Sequence, residues 1–136
     1  MDVLGYIRVS RDDQARHGHS LALAQPQALE ALAVRLGHRL VDIVVDGEGE
    51  GDDFRGISGG LPLFRRRGGR DLIARLRAGE AQGVLAYSLE RMFRNVDDGR
   101  AFFQQYGVKR GVQVATVTEG VLDPCTVSGW MLINNL

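Results

Sequence analysis

The sequence predicts an α/β fold: a mostly parallel central sheet of four to five strands with helices on both faces. Three observations carry this. Short apolar, β-rich runs alternate along the chain with segments of helical periodicity. The first run, VLGYIRV at residues 3–9, is apolar at nearly every position, as a strand covered on both faces must be. The 136 residues, 44% hydrophobic and 25% charged, have the length and composition of one soluble domain with a core of its own.

The elements follow in order. Residues 3–9 form an interior strand and 10–19 a polar loop. Ser20 caps a helix through LALAQPQALEALAVRL, and Gly37 stops it. Pro26 either kinks that helix or marks a restart, with Gln25 near the cap and Pro26 in the first turn. Residues 39–45 form a second strand. Residues 46–60 are rich in glycine and acid and have no periodicity, so they read as a long loop. Its carboxylates Asp46, Glu48, Glu50, Asp52 and Asp53 read as solvated, in a spacing that matches no calcium loop. Leu72, Ile73 and Leu76 mark a helix over 69–78, ended by Gly79. Residues 83–87 form a third strand, 96–106 a helix with Asn95 as N-cap, and 111–118 a fourth strand. Residues 126–136 open a further helix, whose Trp130, Met131, Ile133 and Leu136 have little chain left to cover them. This segment is expected to dock on another subunit or to continue.

The charge pattern excludes several classes and admits one. No apolar run approaches the length of a membrane span, and no secretory signal opens the chain. The single cysteine, Cys125, excludes an internal disulfide and a cysteine-based zinc site. A cytoplasmic protein with no metal and no cofactor is expected. The formal net charge is zero, yet of 17 basic residues only Lys109 is lysine. The arginines are also segregated: Arg65, Arg66, Arg67, Arg70, Arg75 and Arg77 face Asp71 alone over residues 65–77. Guanidinium groups stay charged and grip phosphate bidentately, so neutrality does not argue against a nucleic-acid partner.

Active sites of α/β sheets gather at the carboxyl ends of strands. Just past three such ends lie Ser10 and Arg11, residues 88–94, and Glu119. Ser10 is a candidate nucleophile, with Arg8 on the same side of the pleat. Glu90, Arg91 and Arg94 add a carboxylate and two arginines, which face together if the segment is helical. No acid is placed to orient His17, His19 or His38, so a protease-type triad is excluded. No glycine-rich phosphate cradle or GKS/T follows the first strand, which argues against a nucleotide site. Arginines around a hydroxyl suit phosphoryl transfer. Taken singly, the bland readings are a turn serine and a solvated helix face.

The string Gly5-Tyr6-Ile7-Arg8-Val9-Ser10 resembles the Tyr-x-Arg-Val-Ser signature of the serine recombinases, the resolvase/invertase and large serine integrase family. Asp13-Gln14, then Gly18-His19-Ser20-Leu21 and Gln25, resemble its DxQ…GxSLxxQ stretch. Leu89-Glu90-Arg91-Met92-Phe93-Arg94 is similar to its Leu-Asp-Arg-Leu-x-Arg segment, and Arg77-Ala78-Gly79 to its helix end. Thr118-Glu119-Gly120 and Val127-Ser128-Gly129-Trp130 resemble the fourth strand's end and the start of the dimerisation helix.

The resemblance implies a catalytic domain over residues 1–125 and the start of the long dimerisation helix over 126–136. It implies site-specific DNA recombination through a 5′-phosphoserine intermediate on Ser10, without metal, in a homo-oligomer that goes from dimer to tetramer on double-stranded DNA. Arg8, Arg91 and Arg94 match the family's catalytic arginines, and Glu90 stands where aspartate is usual. A further family arginine matches Arg66, counting back from Glu90 without gaps, or Arg67; Ser58-Gly59 is the remnant of the motif that precedes it. Arg67, Gln14 and Gln25 are the expected DNA-phosphate contacts. The alternative is a catalytically degenerate module that binds DNA or dimerises without cutting, to which Glu90 lends support.

Overall fold

The computed structural model describes residues 1–9, 20–47 and 61–136. Five strands form one sheet in the order β2-β1-β3-β4-β5. They are β1 (Asp2–Arg8), β2 (Arg39–Asp46), β3 (Gly83–Ala86), β4 (Gln113–Thr116) and β5 (Gly120–Leu122). The first four are mutually parallel, and β5 returns antiparallel to β4. The apolar first run is interior, as its composition requires: Gly5 pairs with Ile43 of β2 and Leu85 of β3. The edge strand β5 lies just beyond the fourth strand of the sequence reading, which ended at residue 118, in a stretch given no element there. Gly120, at φ 79°, supplies the left-handed residue of the tight reversal.

Alternation along β1 splits the core in two. Val3 and Ile7 face α1 (Ser20–Leu36), packing with Leu29, Leu32 and Ala33. Leu4 and Tyr6 face the other layer. That layer holds α2 (Arg67–Arg77), α3 (Leu89–Met92), α4 (Val96–Phe102) and α5 (Val127–Asn134). Leu72, Ile73 and Leu76 of α2 enter this core, as their helical spacing predicts, beside Phe102, Phe103, Tyr106 and Ile133. Gly5 lets α1 approach closely, since a Cβ there would lie 3.0 Å from a Leu29 methyl.

Several boundaries differ from the sequence reading. Of the two readings of Pro26, the helix passes through it without a restart. The helix predicted over 96–106 gives way after Phe102 to a π-helical turn, Phe103–Val108. Its wider winding buries Phe103 and Tyr106 together, and Phe103 meets Trp130 edge to face. A short 3₁₀ turn, Leu63–Arg65, precedes α2. The last helix also departs from expectation. It docks on its own domain, with Ile133 fully buried and the Trp130 indole donating to Pro124 O at 2.8 Å. Val127, Met131 and Leu132 stay exposed.

Candidate active site at the carboxyl ends of the strands

Arg8 is the last residue of β1, and Arg91 sits in the short α3 that follows β3. Ser88 caps that helix, its hydroxyl accepting from Arg91 N at 3.3 Å. Glu119 holds the same turn from β4's end: its carboxylate accepts from Leu89 N at 2.9 Å and from the Thr116 hydroxyl at 2.6 Å. Arg8 and Arg91 then bind reciprocally. Arg8 Nε donates to Arg91 O at 3.2 Å, and Arg91 Nη1 donates to Arg8 O at 3.4 Å. Two arginine side chains are thus gathered at one strand end by each other's backbone carbonyls.

Gln25, on α1, is fully buried, and its amide donates to Arg8 O at 3.4 Å. It therefore contacts the protein's own backbone, and among the described residues its Oε1 has no hydrogen-bond partner. Arg94 is exposed and lies beyond α3, because Phe93 is extended at φ −114°, ψ 145°. The helical facing of Arg91 and Arg94 therefore does not arise. Asp98 instead fixes Arg94, accepting from its backbone N–H at 2.8 Å and from Leu63 N at 3.0 Å. Glu90 and Arg67 are exposed. Ser10, Gln14 and the acidic positions from Glu48 to Asp53 lie outside the described residues, as does Ser58-Gly59.

The site holds two residues that the sequence reading left out. Asp46, read as the start of a solvated loop, is the final residue of β2 and 1% exposed. Its carboxylate accepts from the backbone N–H groups of Gly68 and Gly69, the latter at 3.0 Å, and so caps α2 from a distant strand. No side chain caps α2 from within its own segment. The Gly-Gly pair is required by space. A Cβ at Gly68 would lie 2.6 Å from an Asp46 oxygen, and one at Gly69 would lie 1.9 Å from Leu63 O.

Tyr6, quoted above only as part of a motif, is the second. Its hydroxyl donates to Asp46 Oδ2 at 2.6 Å. Burial, foremost, raises its pKa well above the ordinary tyrosine value, with the Arg66 charge opposing, so it keeps its proton. Arg66 is fully buried, the largest such side chain. Its Nε donates to Leu61 O at 2.9 Å, and its Nη1 donates to Tyr6 Oη at 3.1 Å and to Met92 O at 2.8 Å. Its Nη2 is buried with no hydrogen-bond partner among the described residues. The only sequence signal for Asp46 was a carboxylate ending a β-branched strand, DIVVD, where a solvated loop was the simpler reading.

Among the described residues no group of three or more histidine, cysteine or carboxylate side chains could hold a metal ion, and no helix is long and apolar enough to cross a membrane.

Comparison with known proteins assigns the family. The family model described as "Resolvase, N terminal domain" matches residues 3–136. No curated protein matches the sequence. Among solved structures, the N-terminal catalytic domain of TP901-1 integrase is similar, with a TM-score of 0.76 at 24% identity over 99% of this chain and 90% of that one. A resolvase family site-specific recombinase from Streptococcus pneumoniae has a TM-score of 0.72 at 20% identity, over 99% of this chain and 84% of that one. The C-terminal catalytic domain of ISC1926 TnpA, an IS607-like serine recombinase, has a TM-score of 0.64 at 22% identity, over 86% and 67%. At these identities the neighbours establish the fold, and the family match extends over nearly the whole sequence: the chain belongs to the resolvase family of serine recombinases and carries that family's catalytic-domain fold.

Proposed function

We propose that this chain cuts and rejoins double-stranded DNA through Ser10. The Ser10 oxygen attacks a backbone phosphorus, the bond to the 3′ oxygen breaks, and that oxygen leaves as a 3′-hydroxyl with a proton. The product is a 5′-phosphoserine bond, which keeps the phosphodiester's energy for rejoining by the reverse step. The observation that carries this reading is the reciprocal Arg8–Arg91 pairing at the end of β1, two residues before Ser10. It gathers fixed positive charge beside the position from which a serine nucleophile would act. Such charge stabilises the transferring phosphoryl group without any metal. Arg94 and Arg67, both exposed, serve as further phosphate contacts, Gln14 belongs with them, and Glu90 flanks the arginine pair. Strand exchange needs two duplexes held together, so the working form is a homo-oligomer, and the exposed apolar residues of α5 are its contact surface. On this reading residues 126–136 are the dimerisation segment.

The test is covalent capture. Full-length protein is incubated with genomic DNA of its source, quenched with detergent, and the protein-linked DNA is recovered and sequenced. Recovery of one recurring crossover sequence, lost in Ser10→Ala and unaffected by a chelator, supports the reading. Capture that persists in Ser10→Ala, or that stops on chelation, overturns it.

A further inference from the structure

Arg66 ties together three parts of the chain that are remote in sequence. Its guanidinium reaches Leu61 O before α2, the Tyr6 hydroxyl on β1 and Met92 O. Met92 lies next to Arg91 and two residues before Arg94. The same tyrosine hydroxyl is held from the other side by Asp46, which also anchors the start of α2. Asp46 is acceptor-only as a carboxylate, so the tyrosine proton points to it, and the tyrosine lone pairs are left for Arg66. The chain of contacts is therefore directional. Each member is at most 1% exposed. A guanidinium so enclosed does not meet a DNA phosphate from where it stands, and its contacts act on the backbone that carries the arginines which do.

We propose that Tyr6, Asp46 and Arg66 form a buried tie that positions the 91–94 segment against β1, making all three positioning residues for cleavage. Asp46 orients the hydroxyl, the hydroxyl orients the guanidinium, and the guanidinium holds the Met92 carbonyl. The Arg8–Arg91 pairing then forms in register, because β1 and α3 are fixed to each other on both sides of the site. The tie gives Arg66 a role through other residues, in place of the direct one that the family resemblance implies for it. It rests on the recombinase reading only for its activity readout.

The experiment has two arms. In the first, without DNA, ¹⁵N spectra of this chain report rotation of the Arg66 guanidinium. Slow rotation is expected in the wild type and rotation at least about tenfold faster in Tyr6→Phe, which keeps the ring and loses only the hydroxyl. Equal rotation in both would overturn the tie. In the second arm, full-length protein cleaves its captured crossover duplex in a single turnover at saturating protein. Tyr6→Phe is expected to cleave at least about tenfold more slowly with DNA affinity unchanged, and Tyr6→Phe/Arg66→Gln no more slowly than Arg66→Gln alone. Losses that multiply, or a wild-type rate in Tyr6→Phe, would overturn the proposal. So would a fall in melting temperature with no change in rate, which is the mark of a purely structural bond. If Arg66→Gln does not fold, Asp46→Asn replaces it in the cycle under the same criteria. Absence of Ser10-dependent cleavage in the wild type would sink the recombinase reading, and the first arm would still decide the tie.

Discussion

Arg8 shows how much one side chain does at this site. Its Nε reaches Arg91 O, while its own carbonyl receives both Arg91 and Gln25. Lysine has one compact ammonium and no planar fork, so Arg8→Lys keeps the charge and loses the geometry. Removing one well-placed donor of transition-state charge typically costs about 3 kcal/mol, or roughly a hundredfold in rate. Arg8→Lys is expected to lose at least that in single-turnover cleavage while folding normally, and a loss under about threefold would show that charge alone suffices. Arg8 was legible as a candidate because it ends an apolar strand, and active sites of such sheets gather at the strands' carboxyl ends. Asp46 and Arg66 were not. A buried carboxylate and a buried guanidinium look like surface charges until their partners appear, and apart from Leu61 O those partners lie 22 to 60 residues away. The three-arginine run concealed the division of labour, since Arg65 and Arg67 are exposed while Arg66 between them is fully buried.

At the scale of elements, the start of α2 depends on groups outside the helix. Its orphan amides are met by Asp46 of β2, and its glycines are there because nothing larger fits. Gly69→Ala drives a methyl into the Leu63 carbonyl, which belongs to backbone and cannot swing aside. Chemical denaturation should show a loss of roughly 2 kcal/mol or more, well above the propensity gain of about 1 kcal/mol that alanine brings to a helix interior. A stabilised Gly69→Ala would mean that the Leu63 carbonyl does not lie against Gly69. The far end of α2 makes a different kind of contact. Arg75 pairs with Asp42 at 2.9 Å and with Glu80 at 2.6 Å, both near the surface. The Arg75 hydrogen bond holds Asp42 below the usual carboxylate pKa, so the pair's contribution is present at neutral pH and lost as pH falls through that depressed value. Being exposed, it is worth less than about 1 kcal/mol. Arg75→Gln should therefore shift the melting temperature slightly at pH 7 and not at all at pH 2. The helices were legible wherever an apolar stripe recurs, as at Leu72, Ile73 and Leu76. The antiparallel β5 was not, because three residues at an edge carry no period.

For the whole molecule, the open question in the sequence was what covers the last segment, and the structure divides its answer within one helix. Ile133 is fully buried against the domain's own core, whereas Val127, Met131 and Leu132 are 78%, 57% and 37% exposed. Three exposed side chains on an eight-residue helix fall well short of the surface that a stable interface buries, which is about 1,000 Å² at the least. This chain should therefore associate weakly, with an average mass that rises with concentration in light scattering. Met131→Asp/Leu132→Asp should hold it monomeric at every concentration without lowering the melting temperature, since neither side chain is in the core. Ile133→Ala is the contrasting change. It empties a packed site beside Phe93 and Gly99 and should cost 2 to 5 kcal/mol, as buried large-to-small substitutions do. A tight dimer whose mass does not change on dilution would mean that some larger surface than α5 joins the copies. An unchanged self-association in the double aspartate variant would remove α5 from the interface altogether, and with it the assignment of residues 126–136 to dimerisation.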